Sequence, residues 1–322
     1  MDRITLGRSG LAVSRVCLGT MTFGGQTDES AARRMVDTCF EAGVNFFDTA
    51  NVYGQGKAET ILGKSLGGRR QQVVVASKVR GVMNGVPEES GLAKAQILRA
   101  VESTLRRLGT DYLDLYYLHQ PDYRVPVDES LEAMEELVRA GKVRYPASSN
   151  HAAWQVVRML WLAAERQFHP AHVTQPMYNL LARGIEQEYL PMCRELGVAT
   201  VVYNPLAGGL LTGKQNAGAP LAGSRFDKNQ MYLDRYWHAA YFDAVEELRG
   251  LARREGRSLA SLALNWLLRH TSTDCAILGA SRVEQLEENL KALDDGALSE
   301  EALAGCDAVW DKLRGITPRY NR

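Results

Sequence analysis

Short apolar runs alternate with amphipathic stretches along almost the whole chain. The runs lie at 16–18, 44–48, 73–78, 113–118, 143–148, 173–176, 198–203 and 275–278. The first is followed by Ala32, Met35, Val36, Cys39 and Phe40 at helical spacing, with Asp28 to cap the helix and Gly43 to stop it. Similar helical patterns follow at 58–66, 94–108, 127–140, 152–165, 185–196 and 283–293, and two more occupy 242–254 and 259–268. Ile4-Thr5-Leu6 and Leu11-Ala12-Val13 flank Gly7-Arg8-Ser9-Gly10 as a small hairpin, and 299–313 reads as a helix outside the repeat. Eight such units with no linker between them predict an α/β fold, a (β/α)8 TIM barrel. It carries an N-terminal hairpin and extra C-terminal helices, and a single domain covers residues 1–322. The stretch 215–237 is a long insertion, and long loops in compact domains are usually functional.

Composition narrows the partners. Lys plus Arg and Asp plus Glu both number 38, so the net charge is zero and nothing favours a nucleic acid. Cys17, Cys39, Cys193, Cys275 and Cys306 are scattered and form no CxxC pair, as expected of reduced thiols in a cytoplasmic protein. No long apolar segment follows Met1, so neither a signal peptide nor a membrane span is expected.

Three consecutive runs end on groups suited to proton chemistry. The run at 44–48 stops at Asp48, with Tyr53 one loop-length later; the next two end at Lys78 and His119. Any one alone reads as a cap or an ion-pair residue. Together, at the C-terminal ends of barrel strands, they read as one site. A phenol near pKa ~10 is a poor acid at neutral pH, and a nearby ammonium is expected to lower that value. Asp48 would hold Lys78 charged, and a neutral His119 could donate to a substrate oxygen. Such a set protonates an oxygen as charge develops on it, as when a carbonyl becomes an alcohol. The hydride must then come from a cofactor.

The rest of the rim fits a nicotinamide. Ser149, Asn150 and Gln175 offer groups for a carboxamide, and Tyr203 offers a flat face. Gly208-Gly209-Leu210-Leu211-Thr212-Gly213-Lys214 offers backbone and a cation to a pyrophosphate, and Gly279-Ala280-Ser281-Arg282 opens a helix where a phosphate could sit. Each has an ordinary reading as cap, core or surface. Gly208 to Lys214 also matches part of a P-loop, but Gln215 stands where magnesium needs Ser or Thr. Gly54-Gln55-Gly56 lacks the third glycine of a dinucleotide fingerprint. His169 and His172 have no ligand cluster around them, and no metal is expected.

These residues resemble the aldo-keto reductase superfamily over nearly the whole chain. The matching motifs are Gly19-Thr20-Met21, 43–53 with Glu59, Ser77-Lys78, Leu118-His119, Ser149-Asn150-His151, Gln175, 203–214 and 279–289. The resemblance implies NADPH or NADP as cofactor, Tyr53 as general acid, Asp48 and Lys78 tuning it, and His119 orienting the carbonyl. It places Ser281 and Arg282 near the 2′-phosphate and Gln285, Glu288 and Asn289 at the adenosine. Gly19, Thr20, Met21, Asp48, Asn204, Pro205, Leu206, Gly208, Leu210, Lys214 and Arg225 join the cofactor set. Tyr53, His119 and Phe23 would meet a small carbonyl substrate, in a pocket also shaped by Gln120, the Tyr123 loop and 215–237.

Within the superfamily, 203–214, 149–154, Met231-Tyr232, Arg235-Tyr236-Trp237 and Pro318-Arg319-Tyr320 are similar to the aflatoxin-aldehyde and succinic semialdehyde reductase branch, and the first half to bacterial members. A monomer or homodimer, with no membrane or nucleic-acid partner, is implied. Asn204, in place of the common serine, is shared with that branch. Pro146-Ala147 departs from the pattern, because a proline in an inner strand removes a ladder N–H. The competing class is a non-catalytic, cofactor-binding regulatory subunit of the potassium-channel β type, which would carry a basic or extended N-terminal tail. A third reading makes Lys78 an aldolase Schiff-base lysine.

Overall fold

The structure is a computed structural model that describes residues 1–316. Two short strands, β1 (Arg3–Thr5) and β2 (Ala12–Ser14), form the antiparallel N-terminal hairpin. Eight further strands close into a parallel barrel in chain order: β3 (Val16–Gly19), β4 (Phe46–Asp48), β5 (Val74–Val79), β6 (Leu113–Leu118), β7 (Val143–Ser149), β8 (Val173–Gln175), β9 (Ala199–Val202) and β10 (Cys275–Gly279). Strand β10 pairs back onto β3 and completes the ring, so the barrel itself has no open edge. The (β/α)8 expectation, with its hairpin and extra helices, holds.

Helices cover the outside: α1 (Glu29–Glu41), α2 (Lys57–Leu66), α3 (Lys94–Leu108), α4 (Val127–Arg139), α5 (Ala153–Arg166), α6 (Tyr189–Leu196), α7 (Gln230–Tyr236), α8 (Ala239–Arg254), α9 (Leu259–Arg269), α10 (Val283–Lys291) and α11 (Glu300–Arg314). Asp28 caps α1 as expected, accepting from the Ala31 N–H. The core has two layers. Cys17, Phe46, Ala76, Leu115, Tyr117, Val201 and Ile277 fill the barrel interior, and Leu6, Leu11 and Val13 of the hairpin join that cluster. Gly7 lies against the backbone of His172, Gly197 and Ala199, so the hairpin plugs the N-terminal end of the barrel and leaves the other end for chemistry. The outward residues of the strands meet the inner faces of the helices in the second, larger cluster.

Two expectations need correction. The stretch 215–237 is not structureless, because α7 lies within it. Phe226, Tyr232 and Tyr236 are buried, and Phe226 packs on Trp237 with ring centroids 5.1 Å apart. Its aromatics anchor the segment to the body. Pro146 is also harmless in its strand. It faces Tyr116 on the β6 side, and β8 pairs only with Ser148 and Ser149, two residues later. The missing N–H interrupts no ladder on that side. The Pro318-Arg319-Tyr320 motif lies outside the described residues.

Candidate active site

Strand β4 ends on a carboxylate and β5, its neighbour, carries the lysine that faces it. Asp48 and Lys78 are both buried, Lys78 completely. Two unpaired charges could not stay there, and they do not: Lys78 Nζ donates to Asp48 Oδ1 in a short contact and to the Thr49 carbonyl at 2.8 Å. The second Asp48 oxygen accepts from Gln175 Nε2 at 2.8 Å, across the barrel mouth from β8. The same Nζ lies 3.3 Å from Tyr53 Oη. The Tyr53 ring stands edge-on to His119, 5.9 Å between centroids. The four groups expected from the strand ends therefore meet at one point.

Electrostatics sets their protonation. Burial would push Lys78 down, but Asp48 and Tyr53 reverse this and leave its pKa above the ordinary lysine value. Burial lifts the Asp48 carboxyl, while Lys78 and Gln175 pull it back. Burial also lifts the Tyr53 phenol, and Lys78 offsets only part of that rise. The expectation of a lowered phenol pKa is thus corrected: desolvation at a half-buried tyrosine outweighs one nearby ammonium, and the hydroxyl is protonated at neutral pH. His119 is brought down to about 3, by burial first and then by Lys78 and Arg80, so its ring is neutral.

A second buried network stands behind the first. Ser77, next to Lys78, points outward and donates to Glu59 Oε1 at 2.6 Å. The other Glu59 oxygen accepts from Arg107 Nε, also at 2.6 Å, and Arg107 reaches Glu89 at 3.8 Å. Arg107 lies against Gly56, where an added Cβ would come within 2.7 Å of it, and Gly56 closes the turn that begins at Tyr53. One carboxylate thus ties β5 and the base of α2 to the helix α3. The sequence reading matched Glu59 to a motif without giving it a task. The available signal is its place on the apolar stripe of α2 with Leu62 and Leu66.

The rim groups expected to hold a cofactor divide into several kinds. Ser149 Oγ donates to the Gln175 carbonyl, Asn150 Nδ2 donates to the His119 carbonyl, and Tyr203 Oη donates to Asn150 Oδ1 at 2.7 Å. Asn150 and Asn204 both adopt positive φ at strand ends, a conformation asparagine tolerates. Asn204 accepts from Tyr232 Oη, while its buried Nδ2 has no partner among the described residues. Arg225 reaches from the inserted segment to Tyr232 Oη at 3.2 Å and to Met21 Sδ, close to Gly279. Lys214 pairs with Glu288 at 3.6 Å across the gap between the β9 loop and α10, and Arg282 is exposed. Gln285 Oε1 accepts from the Ser281 N–H and Oγ, and Asn289 is buried. Lys214, Arg225 and Arg282 are cations on the loops of this side of the mouth, which suits an anionic dinucleotide, and an aromatic beside paired amides suits its nicotinamide end.

Some expected contacts are not available. Phe23 is 1% exposed within the core, so it does not line an open pocket. Thr20 is fully buried, its Oγ1 and N–H both donating to the Asp48 carbonyl. Pro205 and Leu210 turn their side chains inward. Gly19 serves the barrel itself, since a Cβ there would fall 2.6 Å from Ile277. The sequence reading passed over Arg80, whose charge bears on His119, and quoted Arg235 of α7, which faces Tyr203, only within a motif and without a role. Among the described residues no cluster of His, Cys, Asp or Glu suits a metal ion, and His169 pairs with Glu135 at 2.8 Å.

Comparison with known proteins agrees with this geometry. The profile of the Aldo/keto reductase family matches residues 15–311. An uncharacterized oxidoreductase, YrpG, of Bacillus subtilis is 40% identical over 99% of this chain and 98% of its own length. A probable voltage-gated potassium channel subunit beta of Arabidopsis thaliana is 37% identical over 91% of this chain and 92% of its own. Aflatoxin B1 aldehyde reductase member 2 of Mus musculus is 35% identical over 95% of this chain and 87% of its own.

Proposed function

The chain belongs to the aldo/keto reductase family, and on that premise we propose that it reduces aldehydes, and less readily ketones and dicarbonyls, to alcohols with NADPH. The observation that carries this reading is Lys78 Nζ, bonded to Asp48 and 3.3 Å from Tyr53 Oη at the mouth of the barrel. A bound NADPH would supply the hydride, which no side chain can. Tyr53 gives its proton to the carbonyl oxygen as negative charge builds there, and Lys78 stabilises the phenolate left behind. Asp48 keeps Lys78 charged. A neutral His119 donates a hydrogen bond to the substrate oxygen without competing as the acid.

Ser149, Asn150 and Gln175 would hold the carboxamide and Tyr203 the ring face. Lys214, Arg225, Ser281 and Arg282 would hold the phosphates, with Glu288 and Asn289 beside the adenosine. The five cysteines are all free and buried, which supports a reducing, cytoplasmic setting.

Steady-state assay with a nitrobenzaldehyde is expected to give turnover with NADPH. Tyr53→Phe is expected to lower kcat by ~10²–10⁴-fold with cofactor binding intact by fluorescence titration. Full activity in that variant would remove Tyr53 from the chemistry. A second reading, a regulatory subunit of the channel-β type, is favoured by the relatives carrying that name. Cofactor binding without turnover of any carbonyl would select it. The aldolase reading is opposed by the pairing of Lys78 with Asp48, and borohydride trapping of a carbonyl on Lys78 would revive it.

A further inference from the structure

The inner face of α5 is ordinary: Val156, Met159, Leu162 and Ala163 are buried against the barrel. Its outer face is not. Trp154 and Trp161 are each 62% exposed and Val157 42%, so two of the chain's five tryptophans face solvent on one helix. The neighbouring α4 shows the usual outer face, with Glu132, Glu136 and Arg139 exposed. Single exposed apolar residues need no explanation, but two indoles two turns apart on one stripe do. Residues 154, 158, 161 and 165 fall at spacings of four, three and four, so Arg158 and Glu165 share the stripe with the tryptophans. Both charges are exposed, and neither has an ion-pair partner among the described residues.

We infer that this face docks a second copy of the chain, with the two α5 helices antiparallel about a two-fold axis near Trp161. The argument is the charge pattern. Turned end for end, the helix sets Arg158 opposite the second copy's Glu165, and symmetry makes the same pair again on the other side of the axis. The two Trp161 rings then lie within one residue of each other at the centre, where interfaces place their tryptophan anchors. A membrane surface fits less well, because a lipid-facing helix carries a cationic rim and here the signs alternate. Indoles bury about 150–250 Å² each, so the two Trp161 rings form the centre of the interface, and the rest of the ~1,200 Å² at which specific interfaces begin must come from the flanking faces. Area alone does not set the affinity, so the test starts from a Kd on the order of micromolar, the weak end for interfaces of this class.

Sedimentation velocity of the full-length protein tests this, at concentrations spanning about two decades around that Kd. Wild type is expected to pass from monomer to dimer. Arg158→Glu and Glu165→Arg are each expected to weaken the dimer by at least ~10-fold, and the double swap to restore it. Trp161→Glu is expected to be monomeric with an unchanged circular dichroism spectrum. Should that variant fail to fold, the charge swap, on exposed positions, still decides. A wild type that stays monomeric, an oligomer indifferent to Trp161→Glu, or a double swap no better than its parents would each overturn the inference. None of these readouts depends on catalysis, so the reductase reading stands or falls separately.

Discussion

At the ends of β4 and β5, Asp48 and Lys78 are buried and tied to each other, and their other contacts are a backbone carbonyl, an amide and the phenol. At the ends of β9 and β10, Lys214 and Arg282 are exposed, and Lys214 pairs with a solvent-facing glutamate 3.6 Å away. The two sides of one barrel mouth differ in burial and pairing, and the proposed function would have them do different work. On the proposed function, a proton transfer fails if donor and acceptor drift by an ångström, which suits Asp48 and Lys78 being on strands with the Ser77–Glu59–Arg107 chain fixed behind them. Holding a phosphate needs charge and reach more than fixed angles. Flexible cations on loops suffice, and they can part to let a ligand in.

The sharpest way to break this contrast is to remove a charge from each side. Lys78→Met leaves Asp48 buried without its cation, which costs about 3–5 kcal/mol of stability and takes away the group that stabilises the Tyr53 phenolate. A fall in kcat of ~10²–10⁴-fold together with a lower denaturation midpoint is expected. Lys214→Ala, on the exposed side, is expected to leave the midpoint within the scatter of ordinary surface substitutions. Equal destabilisation by both would mean that the two sides do not differ as described.

Reading the chain without coordinates recovers the first side well and the second poorly, for physical reasons. Asp48, Lys78 and His119 each end an apolar run, and a polar group at such a place must have a partner or a task. Which partner it finds depends on distances that sequence spacing does not carry. Gln175 was expected at a carboxamide and also holds Asp48, 127 residues away. Phe23 was expected to meet the substrate, yet it turns into the core. The sign of the Tyr53 shift was missed because desolvation scales with how much protein crowds the hydroxyl, and only the fold fixes that. Arg225 reaches Met21 from a segment whose course is set by buried aromatics rather than by any periodic pattern.

A smaller effect separates the sides by pH. The folded His119 titrates at about 3 and His151 at about 4, both lowered chiefly by burial, whereas an unfolded imidazole titrates near ~6.5. Below ~6.5 the unfolded chain therefore takes up protons that the folded chain refuses, so stability is full above that pH and declines as the pH falls toward 3. In urea melts, His119→Asn is expected to flatten that decline relative to wild type. Wild-type kcat is expected to show no step near pH 6.5 from His119. A step there that vanished in His119→Asn would mean the ring works as a cation and not as a neutral donor.

The smallest expected effect belongs to that exposed side. Arg282 precedes α10 with its side chain in solvent and shares the 279–282 loop with Ser281, whose Oγ is 3.1 Å from Gln285 Oε1. A cation in that position recognises a ligand by charge, and the ligand feature that differs between the two nicotinamide cofactors is the 2′-phosphate. Arg282→Ala is expected to raise KM for NADPH by about tenfold, the size of one charge-assisted contact, while KM for NADH, kcat and the melting temperature stay where they are. Such a split, binding lost on one side of the mouth with turnover and stability intact, is what a loop-borne cation predicts. Were KM for both cofactors to rise together, Arg282 would be shaping the loop rather than reading the phosphate, and the two sides of the mouth would be more alike than their burial suggests.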